Sequence, residues 1–350
     1  MSYASKWLAW KITTSSQSSI HNSKELCMKR IAFVTGMTGQ DGPYLARFLL
    51  ERDYRVYGLI KRYSNPNLDN LRWLGIEDDV ELITGDITDD GCMNHLMRSL
   101  RPTEVYNLAA QSFVGVSWDL NKLTTEVNCM GPLNILNAVR QHSAETRFYQ
   151  ASTSEMFGNS TGGRQNESTP FHPRSPYGVS KLYSHWMTRN FRESYGLYAC
   201  SGILFNHESP LRGREFVTRK ITDAVARIKL GRADGISLGN LDAQRDWGFA
   251  GDFVEAMWMM LQQPQADDFV IATGTQHSIR ELLDVAFHHV GLPHWSQYVT
   301  SDPRFKRPAE LHSLCGDYSR ANTVLGWAPR VTFEQMICDM VDADLDRLRS

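Results

Sequence analysis

The apolar run Arg30-Ile31-Ala32-Phe33-Val34 passes straight into Thr35-Gly36-Met37-Thr38-Gly39-Gln40-Asp41-Gly42, and few folds accommodate that junction. A short, nearly unbroken apolar run suits a strand buried on both faces of a parallel sheet. The glycines at 36, 39 and 42 form GxxGxxG at the point where a helix should open. Glycine permits the tight turn and lets backbone N–H groups approach a pyrophosphate at the helix N-terminus. Glycine-rich turns are common, but one placed directly after a buried strand points to a dinucleotide site.

The rest of the chain keeps this rhythm. Strands are expected at 30–35, 55–60, 80–84, 104–109, 146–151, 199–205 and 268–274. Helices are expected at about 41–52, 89–100, 127–141 and 177–195. Such alternation implies right-handed crossovers and an α/β fold with a doubly wound parallel (Rossmann) sheet. The rhythm weakens after Asn206, where turns, prolines and short helices predict a smaller, mixed C-terminal lobe. The expected division gives residues 29–206 plus about 246–275 to the dinucleotide domain. It gives about 207–245 plus 276–350 to the lobe. Residues 1–28 read as a leader outside the fold, since Met28 immediately precedes the first strand and the apolar stretch around Trp7-Leu8 is too short for a secretory signal.

Composition narrows the function classes. A formal net charge of -2 offers no basic surface for nucleic acid. No apolar run approaches the length needed to span a bilayer. The six cysteines are scattered, without a CxxC pair, so neither a zinc site nor a disulfide framework is expected.

The end of the second strand discriminates between nicotinamide cofactors. An acid about 20 residues past the glycines usually binds the ribose 2′-hydroxyl of NAD and would repel a 2′-phosphate. Here stand Lys61-Arg62-Tyr63-Ser64. Arg62 can pair with a phosphate in bidentate fashion and Ser64 can donate to it, which favours NADP; an exposed basic turn is the plainer alternative. Asp86-Ile87 suits an adenine contact, although Asp86 could equally cap a helix near Thr88. The small residues of Asn107-Leu108-Ala109-Ala110 would let the chain pass close to the cofactor.

Two further groups carry chemistry. Tyr177 and Lys181 are four residues apart, on one face of a helix that Pro176 would start. A free tyrosine has a pKa of about 10, so it needs a nearby cation to act as a base at neutral pH. The fifth strand ends in Ser152-Thr153-Ser154-Glu155. Thr153 can hydrogen-bond a substrate hydroxyl. Glu155 exceeds what hydride transfer requires and could move a proton during loss of water; alone, it would pass for a surface or capping glutamate.

Taken together the chain resembles the GDP-mannose 4,6-dehydratases over essentially all of 30–346. The resemblance rests on TGMTGQDG (35–42), YNLAAQSFVG (106–115), FYQASTSEMFG (148–158), SPYGVSK (175–181), ILFNHESPLRG (203–213) and FVTRKI (216–221). LGNLDAQRDWGFAGDFVEAMW (238–258) and RPAE (307–310) extend it. It implies a lyase that oxidises carbon 4 of GDP-mannose, eliminates water across carbons 5 and 6, and returns the hydride to carbon 6. Thr153, Glu155, Tyr177 and Lys181 would be catalytic. The implied NADP site comprises Gly36, Thr38, Gly39, Gln40, Asp41, Gly42, Arg62, Ser64, Asp86, Ile87, Leu108, Ala109, Ala110, Tyr177, Lys181, Leu204, His207 and Arg212. The implied GDP-sugar site comprises Ser112, Asn206, Glu208, Lys220, Arg245, Arg307 and Glu310. The cations Arg219-Lys220, Arg245 and Arg307 also suit a diphosphate on charge alone, while Arg245-Asp246 could be a structural ion pair.

The chain departs from the family pattern at Tyr63, where many members have a second arginine, at Asn65-Pro66-Asn67, and at Phe113, where many have histidine. A cytoplasmic homo-oligomer is implied, with dimer and tetramer both open. The residues also leave open a GDP-manno-heptose dehydratase, a GDP-4-keto-6-deoxy-sugar reductase or epimerase, and a non-catalytic NADP sensor.

Overall fold

The computed structural model describes residues 29–159, 163–302 and 314–349. The leader assigned to 1–28 lies outside the described residues, as do Arg307 and Glu310. The strands in chain order are β1 (Ile31–Thr35), β2 (Arg55–Ile60), β3 (Glu81–Thr84), β4 (Glu104–Asn107), β5 (Arg147–Thr153) and β6 (Ala199–Leu204). Then follow β7 (Asn206–Glu208), β8 (Ile236–Leu238), β9 (Gln244–Phe249), β10 (Phe269–Ile271), β11 (Gln276–Ser278) and β12 (Val299–Ser301). All seven strands expected from the apolar runs are present.

Seven strands form one parallel sheet in the order β10-β6-β5-β4-β1-β2-β3. Strands β4 and β6 are buried at every residue; β6 is accordingly apolar or small throughout, whereas β4 buries Glu104 and Asn107, which hydrogen-bond to Tyr54, Tyr106, Thr35 and Gln150. The strand order reverses between β1 and β4. In open α/β sheets this reversal opens a crevice at the carboxyl ends of the strands. The glycine turn after β1, Leu108–Ala110 after β4 and Ser154–Met156 after β5 all lie at those ends.

The helices Asp41–Leu50, Asp90–Leu100, Gly131–His142 and Pro176–Tyr195 match the expected positions to within a few residues. Local chemistry sets their ends. Asp89 caps the second of these through Cys92 N at 3.0 Å, and Ser175 caps the fourth through Gly178 N at 3.0 Å, with Pro176 in its first turn. Gly131–His142 is preceded by a π-helical turn, Glu126–Met130, which turns Asn128 into the interior.

The C-terminal region is more regular than expected. Besides the mixed sheet β11-β9-β7 and the pair β12-β8, it contains the helices Val217–Lys229, Ile279–His289 and the 17-residue Phe333–Arg349. These helices bury Ile221, Val225, Leu282, Leu283, Met336, Ile337 and Met340 in a core of their own. The apolar positions recur at helical spacing but are interrupted by Arg219, Asp344 and Arg347, which obscures the period. Helix Ala250–Gln262 packs on helix Asp41–Leu50, behind the glycine turn.

Candidate functional site

A cleft of about 490 Å³ lies over the carboxyl ends of the parallel strands. Its floor is the turn after β1. Gly36 sits at φ +73°, where side chains are disfavoured, and a Cβ there would stand 2.8 Å from Ala109 N and 2.9 Å from the Leu108 carbonyl carbon. The glycine therefore serves both the turn and the close approach of the β4 end. Thr35 completes the junction: its hydroxyl accepts from Leu108 N and Ala109 N at 3.1 Å and donates to Asn107 Oδ1 at 2.7 Å. Gly36, Thr38, Gly39, Gln40, Asp41 and Gly42 all line the cleft, as do Asp86, Ile87, Leu108, Ala109, Ala110, Ser112, Leu204, Asn206, His207 and Arg212. Such a backbone cradle at a helix N-terminus fits a dinucleotide diphosphate.

The four expected catalytic residues meet at one wall of the cleft. Thr153 ends β5, Glu155 follows in a 3-10 turn, and Tyr177 and Lys181 project from the helix Pro176–Tyr195. Gly178 allows the junction, because a Cβ there would come 2.9 Å from the Glu155 carbonyl. All four side chains are largely buried. Burial pushes the Tyr177 phenol up to about 12, opposed by a hydrogen bond with Thr153 and reinforced by the Glu155 charge. Burial also brings the Lys181 ammonium down to about 8, against the attraction of Asp41; its Nζ donates to the Ala151 carbonyl at 2.9 Å. Burial thus disfavours the phenolate, and a cationic nicotinamide would tilt the pair the other way.

The segment from His207 in β7 to Arg212 in the turn after it is tied to the glycine loop. His207 Nε2 stands 2.9 Å from Asp41 Oδ2. Gln40 donates to the His207 carbonyl at 3.0 Å and accepts from Ser209 Oγ at 2.9 Å. Asn70 donates to the Gly39 carbonyl at 2.9 Å and to that of Leu211 at 3.3 Å.

Several expected ligands lie outside the cleft lining or have partners within the protein. Arg62 and Ser64 are exposed on the loop after β2, whereas Lys61 and Tyr63 line the cleft. Lys61 pairs with Asp86 at 3.3 Å, and Asp86 also accepts from Thr88 N and Oγ1, so it shapes an Asx turn there; Asp89 is the helix cap. Lys220 donates to the Ser237 carbonyl at 2.8 Å, and Arg245 to that of Gln244 at 2.7 Å; neither is part of the cleft lining. Asp246 accepts from Thr273, Gly274 and Gly316. Arg219 is a correction. It is buried, pairs with Asp344 at 2.6 Å and donates to the carbonyls of Pro210 and Arg212, so it is structural and unavailable to a diphosphate.

Other residues in or beside the cleft were assigned no role from the sequence. Ser152 lines the cleft and lies 3.4 Å from His185 Nδ1. Asn128 accepts from Gln111 N at 2.8 Å and donates to Ser180 Oγ at 3.1 Å, holding the helix that carries Tyr177 and Lys181. A buried asparagine in a π-turn leaves no periodic trace. Phe113 meets Phe216 edge-on at 5.7 Å, and both line the cleft.

A doubly wound parallel sheet whose glycine turn faces a Thr/Tyr/Lys set across one cleft defines an extended short-chain dehydrogenase/reductase. A family profile for GDP-mannose 4,6 dehydratase matches residues 33–340. The chain is 52% identical over 328 residues to GDP-mannose 4,6 dehydratase 1 of Arabidopsis thaliana, covering 91% of this chain and 90% of that one. It is 46% identical over 346 residues to the human GDP-mannose 4,6 dehydratase, covering 92% and 93%. Among solved structures, the UDP-glucose 4-epimerase of Thermus thermophilus superposes with a TM-score of 0.79 at 27% identity, over 90% of this chain and 98% of that one. The chain belongs to the GDP-mannose 4,6-dehydratase family. No helix among the described residues is long and apolar enough to cross a membrane.

Proposed function

We propose that this protein is an NADP-dependent GDP-mannose 4,6-dehydratase that converts GDP-D-mannose to GDP-4-dehydro-6-deoxy-D-mannose and water. The observation that carries the reading is the placement of Glu155 beside Thr153 and Tyr177 in the cleft that the glycine turn floors. The chemistry NADP would supply when bound is a hydride acceptor for carbon 4 and a hydride donor for carbon 6, with no net change over a cycle. Tyr177 takes the proton of the 4-hydroxyl, with the Thr153 hydroxyl steadying that oxygen. Lys181 supplies a cation beside the phenol. Glu155 then removes the proton from carbon 5, made acidic by the new ketone, and delivers it to the 6-hydroxyl, which leaves as water; as the hydride returns to carbon 6, carbon 5 regains a proton, and the proton taken up by Tyr177 closes the balance. A reductase or a sensor needs no such carboxyl group.

In this reading the glycine turn, Asp86, Ile87, Leu108–Ala110, Leu204, His207 and Arg212 hold the dinucleotide, with Arg62 and Ser64 at the 2′-phosphate. Ser112 and Asn206 face the sugar, and Lys220, Arg245, Arg307 and Glu310 serve the GDP moiety. Residues 29–206 with about 246–275 make the NADP domain, and about 207–245 with 276–350 the GDP-sugar lobe. A homo-oligomer is part of the reading, supported by the exposed Leu120, Leu123, Met130, Val179, Tyr183 and Trp186. So is a cytoplasmic setting.

The test is turnover of GDP-mannose and of GDP-manno-heptose, read by mass spectrometry. Loss of one water from GDP-mannose without added NADPH, absent in Glu155→Gln, is expected. Preference for the heptose would change the substrate and keep the chemistry. Water loss from neither sugar would overturn the assignment.

A further inference from the structure

The family resemblance implies a substrate contact for Glu208, yet its side chain is only 2% exposed and is not part of the cleft lining. Its Oε2 accepts from the buried Thr218 hydroxyl at 2.5 Å and lies 3.1 Å from Arg212 Nε. That nitrogen is buried and makes no hydrogen bond, so the contact is a charge pair rather than an aligned bond. The guanidinium carbon lies 3.6 Å above the centre of the Phe216 ring. Both Arg212 and Phe216 line the cleft.

A flexible arginine facing a cleft would ordinarily sample many rotamers. Here the guanidinium is held on its Nε edge by a carboxylate and on one face by an aromatic ring. Its backbone is held as well, since the Arg212 carbonyl accepts from Arg219 at 2.9 Å, and Arg219 is itself fixed by Asp344. What remains for a ligand is the guanidinium edge remote from Glu208, a fork suited to phosphoryl oxygens.

We propose that Glu208 is a positioning residue that acts through Arg212, aiming its guanidinium at a phosphoryl group in the cleft, and does not itself touch the sugar nucleotide. The inference rests on the reading above that Arg212 is a phosphate contact. The carboxylate is poorly suited to a diphosphate, which it would repel; next to the guanidinium it neutralises an otherwise buried charge. Two bound molecules could supply the phosphoryl oxygen, the dinucleotide or the GDP moiety, and the chemistry recognised is the same.

A double-mutant cycle separates these cases. Glu208→Gln, Arg212→Gln and the double variant are titrated with NADP and, separately, with GDP, in calorimetry on the full chain. Glu208→Gln is expected to weaken NADP by about tenfold, and the double variant to bind it no more weakly than Arg212→Gln. GDP affinity should change little; the same non-additive pattern in the GDP titration instead would keep the positioning role and assign the fork to the substrate diphosphate. Additive losses would show that Glu208 meets the ligand directly and overturn the proposal. If Arg212→Gln leaves both affinities unchanged, the phosphate reading of Arg212 fails first and the proposal falls with it. Thr218→Val removes the buried donor while leaving both charges; paired with Arg212→Gln, it repeats the cycle should Glu208→Gln not fold.

Discussion

Both ring nitrogens of His207 face acceptors: Nε2 stands 2.9 Å from Asp41 Oδ2, and Nδ1 stands 2.8 Å from the Phe205 carbonyl. A carbonyl can only accept, so Nδ1 carries a proton, and one further proton is shared with Asp41. Burial works against the imidazolium, but the Asp41 charge and hydrogen bond outweigh it and raise the His207 pKa. Burial likewise works against the Asp41 carboxylate, and His207 outweighs it there, so the Asp41 pKa is lowered. The ring also stacks on Phe253 at 4.7 Å between centroids.

The pair therefore stabilises the fold in a pH window. The His207 part is complete below the ordinary histidine value and is lost as pH rises through the raised one. The Asp41 part is complete above the ordinary carboxyl value and is lost as pH falls through the depressed one. Asp41→Asn should cost about 3 kcal/mol at neutral pH, with the difference from the parent shrinking in acid. Denaturant titrations at several pH values measure it. Equal stability at neutral pH would mean that no buried charge pair forms.

Lys181 has the opposite sign. Its pKa falls from 10.5 to about 8, chiefly through burial. Between those values the unfolded chain binds more protons, so stability of the cofactor-free protein rises with pH across that window, and the burial cost is felt in full below it. Lys181→Met should raise neutral-pH stability by up to about 3 kcal/mol, lose that advantage toward pH 10, and lower turnover by about 100-fold. The Ala151 carbonyl keeps its second donor, Gln150 Nε2 at 3.0 Å. A variant less stable than the parent at every pH would refute the assignment of burial as the cause.

Two glycines with the same backbone conformation should respond differently to alanine. Gly36 and Gly75 have φ of +73° and +67°, but only Gly36 has neighbours within 4 Å of an added Cβ. Each substitution carries the left-handed penalty of about 1 kcal/mol. Gly36→Ala must also push the β4 end away from the turn, and should weaken NADP at least about tenfold while Gly75→Ala leaves it unchanged. Fluorescence titration with NADP compares them; equal affinities would show that the close approach at Gly36 is immaterial.

Much of the sheet was legible because strands such as Ile31–Thr35 and Ala199–Leu204 are buried along almost their whole length and read as apolar or small throughout. Tyr177, Lys181 and the glycine turn were legible because each is a local spacing. Arg219 was not, because its partner Asp344 is 125 residues away and nothing near it marks the pairing. Helix Val217–Lys229 was hidden for the same reason, since its buried face includes Thr218, Arg219 and Thr222. The strands β7, β8, β11 and β12 have three residues each, too few for an alternation to register.

The Arg219–Asp344 pair has a consequence for synthesis. A ribosome makes the glycine turn, the Tyr/Lys helix and Arg212 well before Asp344. Until the helix Phe333–Arg349 emerges, Arg219 has no carboxylate to meet, and the carbonyls of Pro210 and Arg212 lose a fixed donor. A nascent chain can thus complete its sheet early and still be slow to capture its coenzyme, so maturation of the pocket waits for the helix Phe333–Arg349.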